Sequence, residues 1–512
     1  MRLLFTFGLL LSLSALAQPQ AGGPIGTARR AGSTSGTWNQ ATTAALNLYV
    51  DTTGADTNAC TASGTSACLT IDAACQKVPK TIRHTVIITV GAGTFASGGC
   101  YIQDFNIASG GSLTITGTLA NFAPATGTAT GTTTSRTTGS NNTRSTLTDS
   151  GQTWTVNNLR GQLISIDTGT GSGQYGMITS NTATAITIEG QFDVALAASG
   201  NTYSIKDWST SISGPVSTYN NIQSTTPAAQ TASFFVGTNS ENQLGGVSNI
   251  AGTLSVGSFV IRHFKFTSGV TRAILLWGNT FLSVNQNSFL NGGADVQIIG
   301  GTPALLMREN VANAAANVVY SSLSGSATRF AYIRNNLQIA GAGMVNTSGF
   351  ISMLRGESNE SVASTTAAYR LSGCDDCAVR WDYMTTALYC FRVGQFNLSQ
   401  STVGSYSIDG ITCNDWGADA LAFNGNIQVK VDRNAVASTG TNVNAFPIMV
   451  LNQNVNVLWS SVTNFTVPAS NDFSFNAICN GSGLNYTQVQ LRAASPKSLT
   501  SVCDGSMIYE EF

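Results

Sequence analysis

Charge is scarce in this chain: 10% of its 512 residues are Asp, Glu, Lys or Arg, and the net charge is −1. No run of Lys or Arg occurs, which excludes the broad basic surface that nucleic acid requires and a patch for anionic membranes. Histidine is scarcer still, with His84 and His263 the two copies. A histidine-rich metal site is thereby excluded, and a Ser-His-Asp arrangement would have to use one of these two. His84 opens a buried strand, and His263 sits in the alternating strand Val260–Phe266, where an exposed histidine is unremarkable, so both read as structural. After the N-terminus no apolar run reaches the roughly 20 residues that a membrane-spanning helix needs.

What the chain has in quantity is alternation. Hydrophobic residues make up 42% of it and recur two apart between small polar residues, which argues for folded β-structure over disorder. The alternation repeats in Phe281–Phe289, Ala304–Ala312, Phe330–Gln338, Gln395–Val403 and Gln428–Val436. In each, apolar residues lead three positions later to a small polar one: Leu282 and Val284 to Asn287, Leu305 and Met307 to Asn310, Ile333 to Asn336. Phe396 and Leu398 lead likewise to Ser401, and Val429 and Val431 to Asn434. Weaker copies lie at Ile351–Gly356, Val379–Met384 and Val455–Ser460. Starts fall on average about 25 residues apart, a period that means stacked coils or blades. In a parallel coil alternate side chains point inward, and Asn suits the tight turns because it tolerates unusual backbone angles and hydrogen-bonds through its side chain. Stacked Asn287, Asn310 and Asn336 are therefore expected to form an internal amide ladder, a structural role.

The first 17 residues, a basic start followed by a short apolar run and Ala15-Leu16-Ala17, read as a secretory signal peptide. Ten cysteines, all beyond that segment, suit an oxidising compartment. Cys75 and Cys100, Cys390 and Cys413, and Cys479 and Cys503 are each about one repeat apart, hence in neighbouring coils about 4.8 Å apart, within reach of a disulfide. Cys60 with Cys68 and Cys374 with Cys377 would close small loops. The protein is thus expected to be secreted, extracellular or at the cell surface.

Residues 18–44 read as a small-residue linker. Tyr49-Val50-Asp51, Gly54, Asp56 and Asn58 follow, then a short amphipathic helix from Thr70 to Pro79, then the buried strand His84–Val90 running into Gly91-Ala92-Gly93-Thr94-Phe95. This order resembles the start of secreted right-handed parallel β-helix proteins of the pectate-lyase-like superfamily, with Phe95 where those proteins close on tyrosine. The resemblance covers about 50 residues, extended by the repeats to about 300. It implies an all-β, right-handed parallel β-helix (solenoid) with an N-terminal capping helix. Within it, residues 45–127 would form the cap and first coils. Short strands between Gly/Asn turns over 128–208 read as a small inserted β-subdomain. The main helix would run over 209–470, and 471–512 would form a disulfide-closed C-terminal cap covering an otherwise open β edge.

Candidate chemistry lies where charge interrupts the repeat. Of the Asn-Thr-Asp, Asp-Asp, Gly-His-Gly and Arg-Ile-Lys motifs of polygalacturonase-type enzymes of this fold, only an Asp-Asp occurs, as Asp375-Asp376-Cys377. The Trp-Ile-Asp-His motif of pectate lyases is missing. Asp375, Asp376, Asp382, Asp409, Asp415 and Asp419 nevertheless crowd into two coils. Two carboxylates about 5–9.5 Å apart suffice for glycoside hydrolysis, and the same oxygens could instead hold Ca²⁺, or simply keep loops solvated. Arg380 among them could act as the base in an elimination, and Trp381, Tyr383 and Trp416 could stack on sugar rings. Arg308 and Arg334 occupy equivalent repeat positions with Arg355 and Arg380 nearby, a strip suited to the carboxylates of an acidic polysaccharide. The expected function is binding, with or without hydrolytic or eliminative cleavage, of an extended polysaccharide. The competing reading is a non-catalytic surface or adhesion protein whose helix serves as a rigid rod.

Overall fold

The computed structural model describes residues 41–103, 105–122, 130–133, 135–138, 144–190 and 192–215. It further describes 232–237, 258–267, 272–277, 281–300, 304–314, 318–322, 327–347, 350–362, 367–385, 389–393 and 403–409, and beyond these the strands named below. The expected leader, the expected linker up to residue 40, and Cys479 and Cys503 lie outside the described residues.

The chain is an all-β parallel β-helix. Each coil lays one strand in each of three parallel sheets, a first sheet of twelve strands and a second and third of ten each. The first runs from Leu46–Val50 through Phe281–Asn285, Ala304–Arg308, Ala327–Arg334, Phe350–Glu357 and Gly373–Arg380 to Val455–Ser461. Its pairing is in register coil after coil: Leu282, Leu305, Ala331, Leu354, Cys377 and Tyr406 share one inward position, and Val284, Met307, Ile333, Gly356, Val379 and Ile408 the next. Apart from Gly356, these side chains form part of one continuous core with Phe266 and Phe289 of the second sheet, whose rings stack at 5.0 Å, and with Val296, Tyr369 and Phe391 of the third. In the coil after Gly373–Arg380 the first-sheet strand is Val403–Asp409, so the repeat expected at Gln395–Val403 does not provide that coil's inward pair; Tyr406 and Ile408 do.

At the near end the helix Ile71–Lys77 caps the solenoid, with the Thr70 hydroxyl accepting from the Ala73 N–H at 3.2 Å and Ile71, Ala74 and Cys75 turned into the core. A Thr N-cap with one apolar face is what its seven residues need, since so short a helix is stable only through packing. Disulfides join Cys60 to Cys68, Cys75 to Cys100 and Cys374 to Cys377. Cys390 is also disulfide-bonded; the side chain of Cys413, its expected partner, lies outside the described residues. At the far end Ser474–Ala477 pairs with Ser498–Ser501 and Val489–Gln490 with Tyr509–Glu510.

The turn between first and second sheets is the most regular feature. Six successive turns each pass through one non-glycine residue of positive φ, namely His263, Gln286, Glu309, Asn335, Ser358 and Trp381, between +53° and +65°. The next residue bears the ladder. The Asn287 N–H donates to Asn310 Oδ1 at 3.0 Å, Asn310 to Asn336 at 3.0 Å, Asn336 to Asn359 at 3.1 Å and Asn359 to Asp382 at 2.9 Å. Each Nδ2 also reaches back to a main-chain carbonyl of the previous coil, as Asn310 does to Val284 at 2.9 Å. The expected ladder is present and extends to Asn359 and Asp382. The ladder asparagines, however, do not adopt the unusual backbone angle themselves; the residue before each one does.

One expected outcome follows from this geometry. Asn310→Ala takes the side-chain partner from the buried Asn287 N–H and from the Val284 carbonyl, at roughly 1–3 kcal/mol per group left unpaired, while Asn336 Oδ1 keeps the Asn310 N–H. Urea unfolding should show a loss of at least about 2 kcal/mol; a loss under about 1 kcal/mol would mean the ladder is dispensable.

Candidate functional site

Between the first-sheet strand Ser112–Thr116 and the second-sheet strand Thr210–Ile212 the chain leaves the solenoid and builds an eight-stranded antiparallel sheet, from Leu119–Asn121 to Thr202–Trp208. The strand Leu119–Asn121 places the start of this unit before residue 128. It has a core of its own, including Trp154, Ile164, Ile178, Ile188, Phe192 and Ile205. Leu163, Met177 and Trp208 of the unit meet Val311 and Leu337 of the second sheet in a separate apolar cluster. The unit therefore lies along the ladder-bearing turn.

The residues of positive φ form a second, outer column there, and the inserted unit covers it. His263 Nε2 faces Gln286 Oε1 at 2.8 Å, and Gln286 Nε2 donates to Glu309 Oε2 at 2.7 Å. From the insert, Trp208 Nε1 donates to the Gln286 carbonyl at 2.6 Å and Tyr175 packs on the His263 ring. Gly190 approaches Asn335 so closely that an added Cβ would meet Asn335 Oδ1 at 2.2 Å, and its φ is +67°; both needs select glycine.

Ion pairs fasten the seam in both directions. Insert residues Arg144 and Arg160 reach Glu360 of the second sheet at 2.6 and 3.6 Å, and Arg144 also lies over the Tyr383 ring. Conversely, the insert's Asp193 takes Arg308 on one oxygen at 2.8 Å and Arg334 on the other at 2.9 Å. Burial, and next the neighbouring Glu360 carboxylate, hold Glu189 well above the usual carboxylate range against the pull of Arg144. Burial also raises Asp193, but Arg308 and Arg334 together outweigh it and leave that carboxyl lowered.

The sequence-predicted site residues are distributed by this architecture. Arg308, Arg334 and Arg380 do share one outward row of the first sheet, with Glu357 between the last two. Arg355 sits two residues earlier on the same face, tied to the Asp376 carboxylate and main-chain carbonyl. Asp375, Asp376 and Arg380 are exposed. Asp382 is 1% exposed: it ends the amide ladder, and its second oxygen accepts from the Tyr369 hydroxyl. Burial pushes its carboxyl up to about 7, opposed by hydrogen bonds from Asn359 and Tyr369. Such a value often marks a catalytic acid, yet the ladder accounts for it. Trp381 occupies the turn column and Tyr383 the second sheet beneath Arg144, so neither shares a face with Arg380. Asp419 opens the third-sheet strand Asp419–Phe423, and Asp415 and Trp416 lie outside the described residues. Asp376 thus lies on the first sheet, Asp382 inside the turn that follows it and Asp419 at the start of a third-sheet strand. Among the described residues no three His, Cys, Asp or Glu side chains converge on a metal-holding group.

What the strip does combine is apolar surface and charge. Phe281, Leu306, Phe330 and Tyr332 are half-buried on the outward face, with the Phe330 and Tyr332 rings 6.5 Å apart. Met353 in the next coil is 37% exposed. The Tyr332 hydroxyl donates to Glu357 at 2.6 Å. Alternation of Phe330, Tyr332 and Arg334 around inward Ala331 and Ile333 carried this signal, but the insert's Arg144, Arg160, Glu189 and Asp193 carried none, because nothing local marks their partners.

No family model matches the chain, and no curated protein does. Among solved structures it is similar to a complex of XylC with xylose, at 10% identity over 82% of this chain and 70% of that one, with a TM-score of 0.36. It is also similar to the Pseudomonas phage phi297 tailspike, at 9% identity over 78% and 69% and a TM-score of 0.22. A third is a tailspike of Acinetobacter baumannii bacteriophage AP22 in complex with capsular saccharide, at 9% over 81% and 71%, TM-score 0.19. These likenesses are too distant to carry function. Among the described residues no helix is long and apolar enough to cross a membrane.

The seam makes stability pH-dependent through His263, which is an internal turn residue here, 8% exposed, rather than an exposed strand residue. Burial, with the Arg262 charge next, lowers its pKa from 6.5 to about 4, the Gln286 hydrogen bond opposing. The unfolded chain binds the proton first, so this contribution is complete above about pH 6.5 and is lost as pH falls toward 4, roughly 3 kcal/mol in all. His263→Asn, which tolerates the same backbone angle, should flatten that part of the urea-midpoint profile. Parallel profiles for the two proteins would contradict the assignment.

Proposed function

We propose that this protein is an extracellular binder of extended polysaccharide, held along the outer face of the first sheet across successive coils. The observation that carries the reading is the platform of Phe330, Tyr332 and Met353, apolar surface left at the outside of a β-helix between polar side chains that can take hydroxyl and carboxylate groups. Scattered single apolar residues mean little; these fall in consecutive coils at one edge of the strip, since Phe330 pairs with Met353. Coils repeat at about 4.8 Å, close to the length of one pyranose unit, so a chain lying along the axis meets an equivalent position at each sugar.

Arg355 and Arg380 supply charge beside the platform. Retention is favoured over cleavage, because two carboxylates of this face are engaged: Asp376 by Arg355 and Glu357 by Tyr332. The disulfides and the leader-like N-terminus support an extracellular setting.

Affinity electrophoresis against neutral and uronic polysaccharides tests this. Wild type should be retarded by at least one of them without releasing reducing ends, and Tyr332→Ala with Met353→Ala should weaken retardation about tenfold, or about 1.4 kcal/mol. Full retardation of the double variant, or none for wild type, would refute the site; reducing-end release would refute the non-cleaving role.

A further inference from the structure

The two arginines that the insert covers sit where a ligand carboxylate would. Arg308 and Arg334 occupy the same strand position in adjacent coils, so their guanidinium groups lie about one coil apart and can share one carboxylate. They do share one: Asp193 gives Oδ2 to Arg308 and Oδ1 to Arg334. Arg308 has a second acid in its neighbour Glu309 at 3.1 Å. Arg334 has no other acidic partner among the described residues. The bridging group is a short tip, not a packed element. Phe192 and Leu196 are buried in the insert's core, whereas residues 193–195 between them are exposed, Asp193 by 46% and Val194 by 52%. Apart from Asp193 itself, the tip is held by Gln174, which accepts from the Val194 N–H at 2.6 Å and donates to its carbonyl at 3.0 Å.

We propose that Arg308 and Arg334 form a carboxylate subsite for an acidic polysaccharide, occupied in the free protein by Asp193 as a stand-in for the sugar's carboxylate. This rests on the polysaccharide-binding reading above and names its ligand class: glycans bearing a carboxylate. Tyr332 adjoins Arg334 on the same outward face, so a chain on the platform reaches the subsite without leaving the strip. A single sugar acid competes poorly with a tethered carboxylate; a polymer presenting several carboxylates at once overcomes the tether by multivalency. The contact therefore selects long acidic chains over short or neutral ones. Fork-shaped guanidinium groups are suited to the exchange, since they bind either carboxylate in the same geometry.

Polymannuronate and β-mannan differ in the carboxylate at each sugar, and oligomers of matched length make the test. Asp193→Asn should bind polymannuronate about tenfold tighter than wild type with mannan binding unchanged, and adding Arg334→Gln should abolish the gain. Unchanged Trp208 fluorescence would show that the insert is still docked. In wild-type protein, which involves no risk to folding, saturating polymannuronate should speed amide hydrogen exchange at Val194 and Ala195, and mannan should not. Equal or weaker polymannuronate binding by Asp193→Asn, or no change in Val194 exchange with acid oligomer bound, overturns the subsite while leaving polysaccharide binding standing. Failure of wild type and variant to bind either oligomer removes both.

Discussion

A buried amide without a partner costs more than a made hydrogen bond returns, and a β-helix must turn its chain through its own interior at every coil. Here that turn is satisfied by side chains of the coil ahead. Asn287, Asn310, Asn336 and Asn359 each accept a main-chain N–H from one coil and donate toward another, and Asp382 closes the series with the Tyr369 hydroxyl. The arrangement admits one register only. Slipping a strand by one residue would turn its core side chains outward and break the ladder at the same time. Everything outside depends on this, because the outward row Arg308, Arg334, Glu357, Arg380 is aligned for the same reason that the asparagines are.

The turn also determines where the inserted unit rests. One residue of positive φ precedes each ladder residue, and its side chain emerges on the outside of the corner. His263, Gln286 and Glu309 thereby make a polar column that only another folded unit could bury. The insert does so with apolar contacts around Val311 and Leu337 and with charge exchanged in both directions. Each unit supplies two acids and two arginines to the seam: Glu189, Asp193, Arg144 and Arg160 from one side, Glu309, Glu360, Arg308 and Arg334 from the other. A seam balanced in this way keeps partly buried charges paired, as burial requires, and it leaves the Asp193 bridge at the solvent edge.

Much of the fold was legible because β-helix periodicity is local. Inward pairs such as Leu305 and Met307 and the asparagines three residues on lie within a few positions of one another. The helix opening at Thr70 was legible from its own short amphipathic pattern, and the disulfide from Cys75 to Cys100 from the repeat period. Less was legible where charge was read without its partner. Asp382 looked like one carboxylate of a cluster, yet it occupies the ladder position, where an acid that accepts on both oxygens can replace an amide. Arg308 and Arg334 were read as a solvent-facing strip, but their partner is 115 and 141 residues earlier in the chain. No local pattern reports a contact of that span. Likewise nothing in Val260–Phe266 shows that His263, at a break in the strand, will be covered by Tyr175.

On the proposed reading, the first-sheet strip beside the insert holds one polymer lengthwise, and Asp193 occupies its acidic subsite in the free protein. The most direct measurement is a crystal structure with a mannuronate oligomer bound. The sugar chain should lie across the coils on the outer face of the first sheet, over Phe330, Tyr332 and Met353, with one carboxylate between Arg308 and Arg334 and Asp193 displaced from them. An oligomer seated on the second or third sheet, or one on the first sheet with Asp193 still bridging the two arginines, would contradict this.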